Sequence, residues 1–266
     1  MMDMKEAVIA YDNVDICYDG RPVVRQATFS LRPGEILGIV GESGSGKSTL
    51  LQSAMNLLGP GGAVTQGHIW FQGRDILALS KEEMRRLCGA QMAMVFQDAA
   101  ASLCPVRTIG SQICEAAAAH LDMGKEEVRR QTLELFARLG FSDGRRVWDS
   151  YPFELSGGMN QRVALVMVML LKPTLLLADE PTSALDVCAQ KQVLDELLYL
   201  RDRYGTAIML VTHDMGVASR MADFVLVVKD GQMIEYGPAK DVLASPVQAY
   251  TKELLAAVPT LRRDRR

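Results

Sequence analysis

The sequence predicts an α/β fold with a mostly parallel core sheet, an antiparallel β subdomain at the N-terminal end and an inserted α-helical subdomain. Three observations carry this expectation. The apolar run 36–40 leads into Gly41-Glu42-Ser43-Gly44-Ser45-Gly46-Lys47-Ser48-Thr49 and then into the helix-prone run 50–55. That is strand, glycine loop and helix, in the order a phosphate-binding loop requires. Downstream, apolar runs at 174–179 and 207–212 alternate with helical stretches at 188–204 and 214–221, the βα pattern of a parallel sheet. Between these two regions, from about 98 to 156, helical spacing appears without any strand signal.

Taken in order, short apolar runs (Val8 to Tyr11, Val23-Val24, Ala27 to Leu31) surround Asp19-Gly20, which reads as a small antiparallel sheet with a hairpin turn. The strand at 36–40 follows, then a helix reaching about Leu58, where Gly59-Pro60-Gly61-Gly62 breaks the chain. Residues 67–73 read as a short strand, and 91–96 as a buried strand ending at Gln97. Pro105 starts a new segment. Helices are expected at 109–121 and 125–139, with Val128, Leu133, Leu135, Phe136 and Leu139 on one side of the second. After the βα units, 224–228 and 232–236 flank Asp230-Gly231 as a hairpin. Helices at 239–244 and 248–258 close a single domain spanning 1–258. Residues 259–266 read as a solvated basic tail.

A chain of 266 residues is long enough for one α/β domain with a substantial core and a subdomain. Its 48% hydrophobic and 23% charged content is ordinary for a folded soluble protein. A net charge of −3 gives no reason to expect a nucleic-acid partner. The longest purely apolar run, 163–171, is nine residues, short of the ~20 needed to cross a bilayer. No apolar stretch follows a basic start, so no secretory signal is expected. The expectation is a cytoplasmic protein whose membrane association comes through a partner. Cys17, Cys88, Cys104, Cys114 and Cys188 are odd in number and lack CxxC spacing, so reduced thiols are expected rather than a metal or redox site.

The glycine loop carries the first chemistry. Gly41, Gly44 and Gly46 let the backbone curl until several N–H groups face one anion. The following helix adds the positive end of its dipole at the same point. Lys47 can reach the outer phosphates of a nucleotide such as ATP, and the Ser48 hydroxyl can ligate Mg²⁺. One residue more or less in the spacing would aim the lysine away. Asp179 ends the apolar run 175–178, at the carboxyl edge of a buried strand. There it can hold Mg²⁺ through water. Glu180 is expected to point elsewhere, because side chains alternate along a strand.

A phosphate loop does not say what the energy is for. The discriminating feature is Leu155-Ser156-Gly157-Gly158-Met159-Asn160-Gln161-Arg162, followed by an apolar helix and then Asp179-Glu180. With the phosphate loop, Gln97 after Met94-Val95-Phe96, Ser183-Ala184-Leu185-Asp186 and His213, all in order, the chain resembles the ATP-binding subunits of ABC transporters from about residue 8 to about residue 258. The resemblance implies the P-loop NTPase fold of ABC ATPases, with ATP and Mg²⁺. It implies that Glu180 polarises the attacking water, that Gln97 bridges metal and water at a domain joint, and that His213 contacts the γ-phosphate. It implies an aromatic ring against adenine, with Tyr18 preferred and Tyr11 as its rival. It also implies a head-to-tail dimer in which Ser156, Gly157 and Gly158 meet the partner's nucleotide, as a second anion site at a helix start, with Asp186 at the dimer seam.

Within that family, Phe96-Gln97-Asp98 to Pro105 with Thr108-Ile109-Gly110, and the ending Tyr236-Gly237-Pro238 through Tyr250-Thr251-Lys252 to Pro259, look like peptide and nickel importers. Cys104 departs from the asparagine usual there, and Met159 stands where many relatives have glutamine. Peptide-importer ATPases often continue into a cysteine-bearing tail absent from this sequence, so the shorter length favours uptake of nickel or a metal chelate, with peptide import as the alternative. A soluble ABC ATPase of translation or DNA repair is more distant, since one cassette and no sustained heptads are present. The partners implied are a second ATPase subunit, paralogous or identical, and two polytopic permease subunits. An extracytoplasmic solute-binding protein would act indirectly. The place implied is the cytoplasmic face of the inner membrane. The joint at about 98–110 is expected to receive a short helix from each permease.

Overall fold

The computed structural model describes residues 6–257, so the expected tail at 259–266 lies outside the described residues. β1 (Ile9–Tyr18) and β2 (Arg21–Leu31) pair antiparallel. The turn between them has positive φ at both Asp19 and Gly20 (48° and 75°), the twist that suits a two-residue hairpin. β3 (Ile36–Val40) feeds the glycine loop and α1 (Lys47–Ala54). β4 (Gly62–Phe71), β5 (Arg74–Asp75), α2 (Lys81–Leu87) and β6 (Met92–Val95) follow. Four helices come next: α3 (Ile109–His120), α4 (Lys125–Arg138), α5 (Gly144–Asp149) and α6 (Gly157–Leu171). Then come β7 (Leu175–Asp179), α7 (Val187–Tyr204), β8 (Ala207–Val211) and α8 (Met215–Met221). β9 (Phe224–Lys229), β10 (Gln232–Pro238), α9 (Ala239–Ala244) and α10 (Ala249–Ala256) end the described chain.

The strands run β5-β4-β1-β2-β10-β9-β3-β8-β7-β6. From β9 to β6 every pairing is parallel, and from β2 to β5 every pairing is antiparallel. β10 joins the two halves, antiparallel to β9 and parallel to β2 through one register pair, Gln232 with Arg25.

Burial explains why the central strands read as continuous apolar runs. Leu37, Ile39, Leu175, Leu177, Met209 and Val211 pack with α1 and the antiparallel half. Their neighbours Leu176, Ala178, Ile208 and Leu210 pack with α6, α7 and the inserted helices. Successive side chains take opposite faces, so a parallel strand covered on both sides must be apolar throughout.

Several boundaries differ from the sequence expectation. α1 stops at Ala54, because Asn56 turns left-handed (φ 53°) and Leu57 N–H bonds back to the Gln52 carbonyl at 2.9 Å, a helix-ending arrangement. β4 begins at Gly62 rather than 67, since pairing with all of β1 carries it to Gly62 opposite Tyr18. α2 and α5 were not expected. α2 carries a capping box, with Ser80 and Glu83 each bonding the other's backbone N–H. α6 packs on α3 and α4 and also on β6, so the helical insertion is bound to the sheet through its last helix.

Phe136 has no exposed surface and meets Phe141 edge-on at 5.0 Å between centroids. Phe136→Ala is expected to cost ~3–5 kcal/mol and lower Tm by ~10 °C, measured by thermal denaturation. A drop below ~2 °C would show that the insertion does not depend on this ring.

Candidate nucleotide site

The loop between β3 and α1 wraps around the Lys47 ammonium. Nζ donates to the carbonyl oxygens of Gly41 (2.9 Å) and Glu42 (2.6 Å). Gly41 has φ 151°, and a Cβ there would lie 2.1 Å from the Val228 carbonyl oxygen, so no other residue fits. Gly46, with φ 101°, takes the left-handed position that opens α1. Glu42, Ser43 and Gly44 are exposed, Ser45 and Gly46 buried, Ser48 and Thr49 half-buried. Burial lowers the Lys47 ammonium from its usual range, and the carboxylates of Glu180, Asp179 and Glu42 oppose that shift.

Asp179 ends β7 and is buried. Burial pushes its carboxyl up, the Ser48 hydroxyl and Lys47 pull it back, and Glu180 adds to the rise. Its Oδ1 is buried with no hydrogen-bond partner. A buried oxygen without a donor, beside a serine hydroxyl, is the donor set a hard divalent cation takes. Ser48 and Asp179 therefore fit Mg²⁺.

Glu180 does not simply alternate along the strand, as the sequence reading expected. β7 ends one residue earlier, and Glu180 is left-handed with φ 47°. Its backbone is held on both sides. The N–H donates to the Val211 carbonyl at 3.0 Å. The carbonyl accepts from Gln161 Nε2 (3.0 Å), Ser183 N (3.2 Å) and Ser183 Oγ (3.1 Å). The turn aims the carboxylate between Gln97 and His213. Gln97 Nε2 donates to Oε2 at 3.4 Å, and His213 Nδ1 lies 3.1 Å from Oε1.

The remaining expected residues fall as follows. Tyr11 is buried, stacked on Phe29, and its hydroxyl donates to the Leu50 carbonyl at 2.6 Å. It is a core residue and offers no face to a base. Tyr18 is half-buried at the end of β1, beside Gly62. Ser156 caps α6, its hydroxyl accepting from Met159 N–H at 3.3 Å. Ser156 and Gly157 are exposed. Gly158 sits where a Cβ would be 3.0 Å from the Ala184 carbonyl, which seats this loop on the Ser183–Asp186 turn. Asp186 caps α7, accepting from Cys188 and Ala189 N–H at 3.0 Å each, and these bonds hold its carboxyl below the usual range. Gln161 is the residue that sequence reasoning left without a role. It sits in the polar run Asn160-Gln161-Arg162 at the start of α6, ahead of the apolar stretch from Val163, and nothing local singles it out from its neighbours. The expected sites thus divide between a cluster at the ends of β3, β6, β7 and β8, in which Lys47 and Asp179 are buried while Gln97 and His213 are exposed, and an exposed loop at the start of α6.

A carboxyl whose folded-state pKa is raised binds its proton more tightly folded than unfolded. For Asp179, the charge therefore costs stability as pH rises from the unfolded value through the raised folded one. At neutral pH, Asp179→Asn is expected to raise the Tm of the nucleotide-free protein and to flatten its dependence on pH across the acidic range. A lower Tm at pH 7 would show that the carboxylate stabilises the fold instead.

The ABC transporter family model matches residues 24–183. The chain is 43% identical, over 89% of its length and 71% of the relative's, to a probable peptide ABC transporter ATP-binding protein of Sinorhizobium fredii. It is 41% identical to the dipeptide transport ATP-binding protein DppD of Bacillus subtilis, over 96% of this chain and 78% of that one. Among solved structures it resembles a dimeric, post-hydrolysis ABC cassette bound to ADP and Pi, with TM-score 0.78 and 27% identity over 87% of this chain and 98% of that chain. No described helix is long and apolar enough to cross a membrane. By the matched residues, the relatives and the geometry together, this chain belongs to the ABC transporter family as an ATP-hydrolysing subunit.

Proposed function

We propose that this chain is the ATPase subunit of an importer of peptides, working at the cytoplasmic face of a membrane. The observation that carries the hydrolytic part is the Glu180 carboxylate, held between Gln97 and His213. Glu180 orients and deprotonates the attacking water. With a proton on each ring nitrogen, His213 donates Nδ1–H to Glu180 and Nε2–H to a γ-phosphate oxygen. Lys47 and the backbone N–H groups of Gly44 to Thr49 bind the phosphates. Ser48 and Asp179 hold Mg²⁺, with Gln97 reaching the same ion; when bound, the metal supplies positive charge against the phosphate oxygens. Tyr18 takes the adenine face.

The exposed Ser156 and Gly157 serve the nucleotide of a second ATPase subunit, in a head-to-tail pair with Asp186 near the seam. The partner is a paralogue by family analogy, and the complete set of catalytic residues also permits an identical chain. Permease subunits dock at 98–110, where Val106 is 79% exposed and Arg107 is ion-paired with Glu115. The relatives named for peptide and dipeptide transport support peptides as cargo. Nickel, which the chain's length favoured, draws no support from them.

Glu180→Gln is expected to keep ATP binding, lower turnover by ~10²–10⁴-fold and accumulate an ATP-bound dimer, read by size-exclusion chromatography. Parental turnover would remove Glu180 from the role of base. Lys47→Ala is expected to weaken ATP binding itself by ~10–100-fold.

In a complex reconstituted with its permeases and binding protein, peptides are expected to raise ATP turnover and nickel salts to leave it unchanged. Stimulation by nickel or a nickel chelate alone would overturn the choice of cargo. The mass of the same complex reports the second ATPase.

A further inference from the structure

We propose that Tyr250, on the C-terminal helix α10, is a positioning residue for the phosphate-binding lysine: its hydroxyl fixes the Gly41–Glu42 peptide, whose carbonyl holds Lys47. The Glu42 N–H donates to Tyr250 Oη at 3.2 Å. The Gly41 carbonyl accepts from Lys47 Nζ at 2.9 Å. These two groups belong to one planar peptide unit, so turning the plane moves both. The residue before it is glycine at φ 151°, which has no side chain to hold that plane. The orientation therefore depends on what grips the two ends, and Tyr250 grips one.

Tyr250 is built to hold still. It is 7% exposed and packs with Val40, Met215 and Ala218. The Lys229 ammonium lies 4.4 Å from its ring centroid. Its helix is tied to β10 by the Glu235 carboxylate, which accepts from Val247 N–H (2.9 Å) and Gln248 N–H (3.2 Å). The path from the sheet to the phosphate site is thus Glu235, the start of α10, Tyr250, the Gly41–Glu42 peptide and Lys47. Tyr250 touches none of the reacting atoms and acts through the lysine.

The inference rests on the assignment of Lys47 to the phosphates, and the test separates the two. ATP affinity is measured in Mg²⁺ on the full chain by calorimetry, with Tm followed alongside. Tyr250→Phe keeps the ring and removes only the acceptor oxygen. It is expected to raise the Kd and KM for ATP by about fivefold, with kcat at saturating ATP within about twofold, since the groups around Glu180 are untouched. On a Lys47→Ala background the same change is expected to add nothing, because its effect passes through the lysine. A further fivefold loss on that background, or parental affinity in Tyr250→Phe while Lys47→Ala binds weakly, would overturn the proposal. Parental affinity in Lys47→Ala would instead overturn the reading of the phosphate site. Hydrogen exchange on the unsubstituted protein gives an answer independent of any variant's folding. The Glu42 amide is expected to be protected, and exchange at the rate of a free amide would sink the idea.

Discussion

The register of three adjacent parallel strands governs the rest of the molecule. β8, β7 and β6 are neighbours, with Asp179 opposite Val211 and Ala178 opposite Val95. His213, Glu180 and Gln97 each lie one or two residues beyond these pairs, at the same carboxyl edge. Ligands of open α/β sheets gather at that edge. A slip of one residue in any strand would turn its apolar set to the wrong face. Leu176, Ala178, Ile208 and Leu210 all lie within a few per cent of full burial on one side, so such a slip would strand a core face. The packing of both sheet faces thereby fixes where the three polar groups meet.

That meeting point carries local costs, only some of which are met by a neighbour. A left-handed, non-glycine backbone costs ~1–3 kcal/mol, and Glu180 adopts one at φ 47°. Bonds from Gln161, Ser183 and the Val211 carbonyl over-determine it. Burying Lys47 lowers its ammonium, and the surrounding carboxylates offset this. Asp179 retains an unpartnered oxygen. Fixed, partly uncompensated charge resembles the preorganised electrostatics by which enzymes lower barriers. The same groups are a burden on the nucleotide-free fold.

Much of this was legible in the sequence. Gly41, Gly44 and Gly46 meet positive backbone φ angles, and the apolar runs of β3, β7 and β8 follow from burial on both faces. The hairpins at Asp19-Gly20 and Asp230-Gly231 follow from turn chemistry. What stayed hidden depends on tertiary partners. The left-handed turn at Glu180 cannot be read from Asp-Glu, because strand alternation predicts a different direction for the side chain. Tyr11 and Tyr18 look alike in sequence, and only stacking on Phe29 puts one in the core. α2 was signalled by Ser80 and Glu83 but went unread. α1 looked longer because nothing local marks the left-handed Asn56. Tyr250 and Gln161 act through bonds spanning 208 and 19 residues, which no local pattern reports.

α6 shows how one element can serve two surfaces. At its start, Ser156 and Gly157 lie open to solvent. One turn later, ~5 Å along the axis, Gln161 is 1% exposed and bonds the Glu180 carbonyl. Beyond it, Val163, Leu165 and Val166 are buried in the core shared with α3, α4 and the sheet. The outward-facing end is therefore rigidly tied to the backbone that aims Glu180. A force applied to the exposed loop bears on that backbone through the Gln161 amide and through Gly158, seated against Ala184. The phosphate loop follows β3, whereas the open loop starts α6 at the far end of the helical insertion. This division of the expected phosphate-binding groups between two elements is the physical reason for proposing that they meet across a pair of subunits.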